Sequence, residues 1–149
     1  MFKTIGFIVD NLYNNQLSNE ICKELNILAQ KSNYNVVVFT KNILPVNSAL
    51  KFGVFGLSYI HGVSDGVLIA TDLDSAEILI RSQTTAKKIF YVWNLEWMNI
   101  NKRNYLHNIS IYNNIELVTR SKSYADAIGN YSNSYPLIKT LKDVIDENQ

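Results

Sequence analysis

With a single cysteine, Cys22, the chain can form no disulfide within itself and no cysteine-based metal site. A lone thiol suits a reducing compartment. Only Pro45 and Pro136 interrupt the backbone, and the two histidines, His61 and His107, lie far apart. Charge of neither sign prevails: 14 Lys and Arg against 13 Asp and Glu leave a net +1. That balance offers no electrostatic grip on nucleic acid or an anionic membrane. No stretch approaches the roughly 20 apolar residues of a membrane span, and the apolar run near Met1 is too short for a signal peptide. A cytoplasmic protein with neither nucleic acid nor membrane as partner is expected. Familiar chemical signatures are absent too. The first apolar run leads into Asp10-Asn-Leu-Tyr-Asn-Asn15, not Gly-x-Gly-x-x-Gly, and neither Gly-x-x-x-x-Gly-Lys-Ser/Thr nor Gly-x-Ser-x-Gly occurs. A standard dinucleotide fingerprint, a phosphate-loop NTPase and a nucleophile elbow are therefore excluded. A phosphoreceiver domain needs paired acids after the first strand, where only Asp10 is acidic.

What is present fits a folded globule. The 149 residues match one domain, residues 1–149, and a chain of that size buries about two-thirds of its unfolded surface. It is 47% hydrophobic and 18% charged, which is wrong for disorder. Asparagine is frequent, 19 of 149 residues, beside much Ile, Lys and Tyr, a mix typical of AT-rich genomes. Short apolar runs alternate with amphipathic stretches. Residues 4–9 form a nearly continuous apolar strand, as expected where both faces are covered. Leu17, Ile21, Leu25 and Leu28, with Cys22 on the same stripe, mark a helix over 16–31. Strands follow at 35–40, 67–71, 88–93 and 116–119, and 52–60 is a further candidate despite Gly53 and Gly56.

Asp72 or Asp74 caps a helix to about residue 83, a helix starts at Tyr105, and Ser121 caps another through residue 131. From about residue 137 the spacing of Leu137, Leu141, Val144 and Ile145 predicts a helical tail. Strands alternating with helices imply parallel pairing. The expected fold is an α/β, Rossmann-like three-layer α/β/α domain with a mostly parallel sheet and the first strand near its centre.

In open parallel sheets, ligands bind outside the carboxyl ends of the strands, where the strand order reverses. That rule nominates Asp10, Asn11, Asp72, Asn94, Glu96, Trp97, Arg120 and Ser121 as ligand-binding candidates. Asp10 can bind a hydroxyl or merely end a strand. The Asp72-Leu-Asp74 pair follows a buried strand and resembles the metal-binding Asp-x-Asp of single-domain sugar-nucleotide glycosyltransferases. Helix capping accounts for the same two acids, so no metal site is assigned, and a divalent cation on Asp72 and Asp74 is the weak alternative. Trp93 is expected in the core, whereas Trp97 can stack on a sugar, a base or a partner, or fill a gap beneath the next helix. Arg120 and Ser121 precede a helix whose first N–H groups suit an anion, and Ser121 equally serves as its cap. His61 can act as a base only if it reaches the strand ends.

The opening Lys3-Thr-Ile-Gly-Phe-Ile-Val-Asp10, the strand at 66–71 and the closing Leu117-Val-Thr-Arg-Ser-Lys-Ser-Tyr-Ala125 resemble the N-terminal half of two-Rossmann-domain (GT-B) glycosyltransferases. The segment Phe90-Tyr-Val-Trp-Asn-Leu-Glu-Trp97 also looks like short uncharacterised proteins of tailed phages of marine cyanobacteria. In GT-B enzymes the second half carries most of the sugar-nucleotide site, and this chain stops at Gln149, where that half would begin. The resemblance thus implies an acceptor-side module, not an enzyme on its own, that binds a small molecule of sugar or nucleotide type, or a protein partner. A homodimer or dedicated partner would cover surface that a second half covers elsewhere. The competing expectation is a virion structural protein, or an accessory, host-takeover protein acting in the host cytoplasm, using the fold as a scaffold for protein contact. A third is a complete small enzyme working through Asp72, Asp74 and a metal.

Overall fold

The computed structural model describes residues 2–13, 15–31, 33–42, 49–96 and 104–149. Strand β1 (Lys3–Val9) is buried at every position from Thr4 onward, so it must be covered on both faces and flanked on both sides. It is. Strands β2 (Tyr34–Thr40), β3 (Gly53–Gly56), β4 (Gly66–Ala70), β5 (Lys87–Val92), β6 (Glu116–Thr119) and β7 (Leu137–Ile138) join it in the order β3-β2-β1-β4-β5-β6-β7. Every pairing is parallel, with registers such as Val9 opposite Thr40 and Ile8 opposite Ala70. The apolar runs at 4–9, 35–40, 67–71 and 88–93 thus lie side by side, and the sheet is wholly parallel.

The helices divide between the two faces. Helices α1 (Gln16–Leu28) and α5 (Leu141–Glu147) share one apolar cluster through Ile21, Leu25, Leu28, Leu141 and Val144. Helices α2 (Leu73–Arg81), α3 (Tyr105–Tyr112) and α4 (Lys122–Tyr131) close the other through Leu73, Leu79, Ile111, Tyr112 and Ile128. This is the α/β/α Rossmann-like arrangement expected from the alternation of periods. Cys22 is buried on the inner stripe of α1, and Trp93 joins the same core at 7% exposure. Helix α2 is pinned at its far end by Lys88, whose Nζ donates to the carbonyls of Ile80 and Ser82 and so satisfies groups a helix leaves open. Among the described residues no helix is long and apolar enough to cross a membrane.

Two expectations fail locally. The strand expected over 52–60 ends at Gly56, and Leu57–Gly62 is a 3₁₀ helix that buries Ile60 against the second core. The helical tail does not begin at 137. Leu137 and Ile138 pair with Val118 and Thr119 as strand β7, and α5 starts only after Thr140. Thr140 and Asp143 form a reciprocal capping box, which sets the helix start whatever the apolar spacing one turn earlier. The tail is tied to the sheet by Tyr91, whose hydroxyl donates to the Lys139 carbonyl at 3.1 Å.

Candidate functional site

Strand order reverses between β1 and β4: α1 leaves the end of β1 over one face, and α2 leaves β4 over the other. A gap at the carboxyl edge is the geometric consequence. A cleft of ≈160 Å³ opens there. The end of β1 contributes Val9, Asp10 and Asn11, and the first turn of α1 contributes Asn15, Leu17 and Ser18. Thr71 and Asp72 follow β4, and Trp93, Asn94 and Glu96 follow β5. Thr71 fastens the seam beneath, its Oγ1 donating to the Ile8 carbonyl at 3.0 Å.

Each helix beside the cleft is capped from within the chain. Asn15 Oδ1 accepts from Ser18 N at 2.9 Å, closing the start of α1. Asp72 Oδ1 accepts from Ser75 N at 2.8 Å, and the Ser75 hydroxyl accepts from Asp72 N, a capping box for α2. A further N–H of α2, that of Leu73, donates to Glu96 Oε2 at 3.1 Å. Glu96 thus reaches across from the β5 loop and places a carboxylate at the positive end of the helix. Asn11 is itself held, its Nδ2 donating to Asp10 Oδ2 at 2.9 Å and its Oδ1 accepting from Tyr13 N at 3.0 Å.

Asp10, Asp72 and Glu96 line the cleft, and no Lys, Arg or His stands among the described lining residues. Burial lifts the Asp72 carboxyl above its ordinary 3.8, against the opposing pull of the Ser75 hydrogen bonds and of Lys41. Lys41, beyond the end of β2, pairs with Asp74 at 3.1 Å on the rim of α2. Asp72 thus serves as a helix cap and Asp74 as an ion-pair partner. Among the described residues no three His, Cys, Asp or Glu side chains come together to hold a metal ion.

The sequence-derived list divides here. Asp10, Asn11, Asp72, Asn94 and Glu96 share the cleft. Arg120 and Ser121 do not line it. The Arg120 guanidinium lies 3.8 Å from the centroid of the Trp93 ring, stacked over the indole, and Ser121 Oγ accepts from Tyr124 N as the cap of α4. Both stand at the carboxyl edge, one strand further along. Trp97 lies outside the described residues. His61 sits in the 3₁₀ helix and accepts from Gln83 N at 3.4 Å. Gln83 follows the end of α2, so His61 belongs to the opposite edge of the sheet and cannot serve the cleft. Sequence reasoning missed Asn15 and Ser18, although an Asn three residues before a Ser at a helix start is a readable cap signal.

No protein-family model, curated protein or solved structure matches the chain.

Proposed function

We propose that the chain is a binding module for a small polar ligand of sugar type, taken up in the cleft between the ends of β1, β4 and β5. The observation that carries this reading is the coincidence of an open cleft with the point where strand order reverses. Its ≈160 Å³ falls below the roughly 300 Å³ at which pockets for larger ligands begin. That size favours a single small ring over a whole nucleotide. The lining supplies hydrogen-bond acceptors at Asp10, Asp72, Asn94 and Glu96, a set suited to hydroxyl groups. The likeness of the sequence to the acceptor-side half of GT-B glycosyltransferases points to the same ligand class.

A thermal-shift screen against monosaccharides and nucleosides tests the reading. A ligand at about one hundred times its Kd raises stability by roughly 2.7 kcal/mol. Asn94 is exposed, so Asn94→Trp should leave the fold intact and block the cleft. Sugar hits that vanish in Asn94→Trp support the proposal. A silent sugar panel, or hits that survive the substitution, would refute it.

The edge of the sheet favours a second reading, contact with a protein. Phe55 on edge strand β3 and Tyr59 are 42% and 65% exposed, with ring centroids 5.8 Å apart. Such a pair suits a partner or a second copy of the chain. Light scattering decides the homodimer form: a monomer at high concentration eliminates it.

A further inference from the structure

We infer that the chain carries a second binding site, for a neutral oligosaccharide, at the C-terminal end of α4 on the far edge of the sheet from the cleft. Helix α4 starts beyond the carboxyl end of β6 and runs back along the sheet, so its last turn lies beside the start of β7. A cavity of ≈650 Å³ opens there, lined by Asp126, Gly129, Asn130 and residues 132–135. It has about four times the volume of the ≈160 Å³ cleft and falls within the roughly 300–1,000 Å³ of small-molecule sites.

The aromatic wall of this cavity is fixed at both ends. The Tyr135 hydroxyl donates to Asp126 Oδ1 at 2.7 Å, and Lys122 Nζ donates to the other carboxylate oxygen at 3.0 Å. These two hydrogen bonds hold the Asp126 carboxyl below its ordinary range, so the clamp persists at neutral pH. The ring itself lies against Gly129, where an added Cβ would stand 2.7 Å from Tyr135 Cδ2. Only glycine lets the ring come so close to the helix. Tyr135 is nevertheless 57% exposed, which leaves apolar ring surface open to a ligand. The loop beside it is tied down as well. Ser132 Oγ donates to the Ile128 carbonyl at 2.9 Å, and Asn113 Oδ1 accepts from Asn133 N at 3.0 Å. A ring and a loop ordered in advance lose little entropy when a ligand arrives.

The chemistry of the lining names the ligand. Asn130, Ser132, Asn133 and Ser134 bring carboxamides and hydroxyls, groups that both donate and accept. Among the described lining residues only Asp126 is charged, and Lys122 already pairs with it. A phosphate or an ammonium group therefore finds no free countercharge. Polyhydroxylated rings match both the mixed donors and acceptors and the open tyrosine surface. The volume calls for several such rings, because a single one would leave most of the cavity to water.

Titration with maltotetraose, cellotetraose and laminaritetraose, read by amide chemical shifts, tests this. At least one should give saturable shifts at Gly129, Asn130 and Asn133 while Asn11 and Thr71 stay unmoved. Tyr135→Ala should weaken that binding roughly tenfold or more, as losing a stacked aromatic does for a base. Gly129→Ala favours the helix but pushes the ring away, so it should weaken binding although Tyr135 is retained. Asn94→Trp, which fills the cleft, should leave it unchanged. Silence from all three oligosaccharides overturns the inference, as do shifts confined to the cleft, or binding that survives both Tyr135→Ala and Gly129→Ala. The two sites are read at different amides and with chains instead of single rings, so either reading can fail without the other.

Discussion

Gly66 opens strand β4 with φ at +102°, a conformation that side chains rarely adopt. It lies opposite Thr4 in the β1–β4 ladder. A Cβ added there would stand 1.9 Å from the Thr4 carbonyl oxygen and 2.6 Å from its nitrogen, both backbone atoms that no rotamer change can move aside. Gly66→Ala must then either flip the peptide or part the two central strands. Forcing a side chain into positive φ costs roughly 1–2 kcal/mol, and overfilling a packed site costs about 1–3 kcal/mol more. The expected loss is about 2–5 kcal/mol, a large part of the roughly 5–15 kcal/mol that holds a domain together. Urea denaturation followed by circular dichroism should show a lower midpoint with an unchanged m-value. Gly56→Ala is the control: its Cβ would meet nothing within 4 Å and its φ is −70°, so it should change stability by less than about 1 kcal/mol. If Gly66→Ala proves as mild as Gly56→Ala, the close approach of β4 to Thr4 is wrong, and with it the register beneath the cleft.

Two further perturbations report on the tail and on the cleft. Tyr91→Phe removes the hydroxyl that donates to Lys139 O and should cost about 0.5–1.5 kcal/mol, with faster amide exchange in α5. Unchanged exchange there would mean that the tail is held by apolar contacts alone. Burial raises the Asp72 carboxyl above 3.8 in the folded state, so the native protein keeps a proton that the unfolded chain releases. The stability linked to that proton is full below 3.8 and is lost as the pH rises through the raised value. Asp72→Asn, lacking that titration, should therefore gain on wild type across this window. A stability difference that stays constant from the acid to the neutral side would contradict the burial of Asp72.

Much of this architecture is legible in the sequence because its cause is local. An apolar run such as Ile5–Val9 has no polar face to offer solvent, so it must be a strand covered on both sides, and parallel pairing follows. Caps are equally local: Asp72 with Ser75, and Ser121 with Tyr124, act over three residues. The candidates after β1, β4 and β5 fell into one cleft because a parallel sheet brings all its carboxyl ends to the same edge. Other features depend on partners remote in the chain. Leu137 has perfect helical spacing with Leu141 and Val144, yet the open edge of β6 captures it as a strand. Arg120 follows a strand end just as Asp10 and Asp72 do, but a ring contact with Trp93 holds it one strand away. Nothing near Glu96 in sequence shows that its carboxylate closes a helix starting at Leu73. Periodicity and capping act over a turn or a pleat, so sequence alone determines the elements and their order. Which charge meets which helix end is decided only when the sheet sets the strand ends side by side.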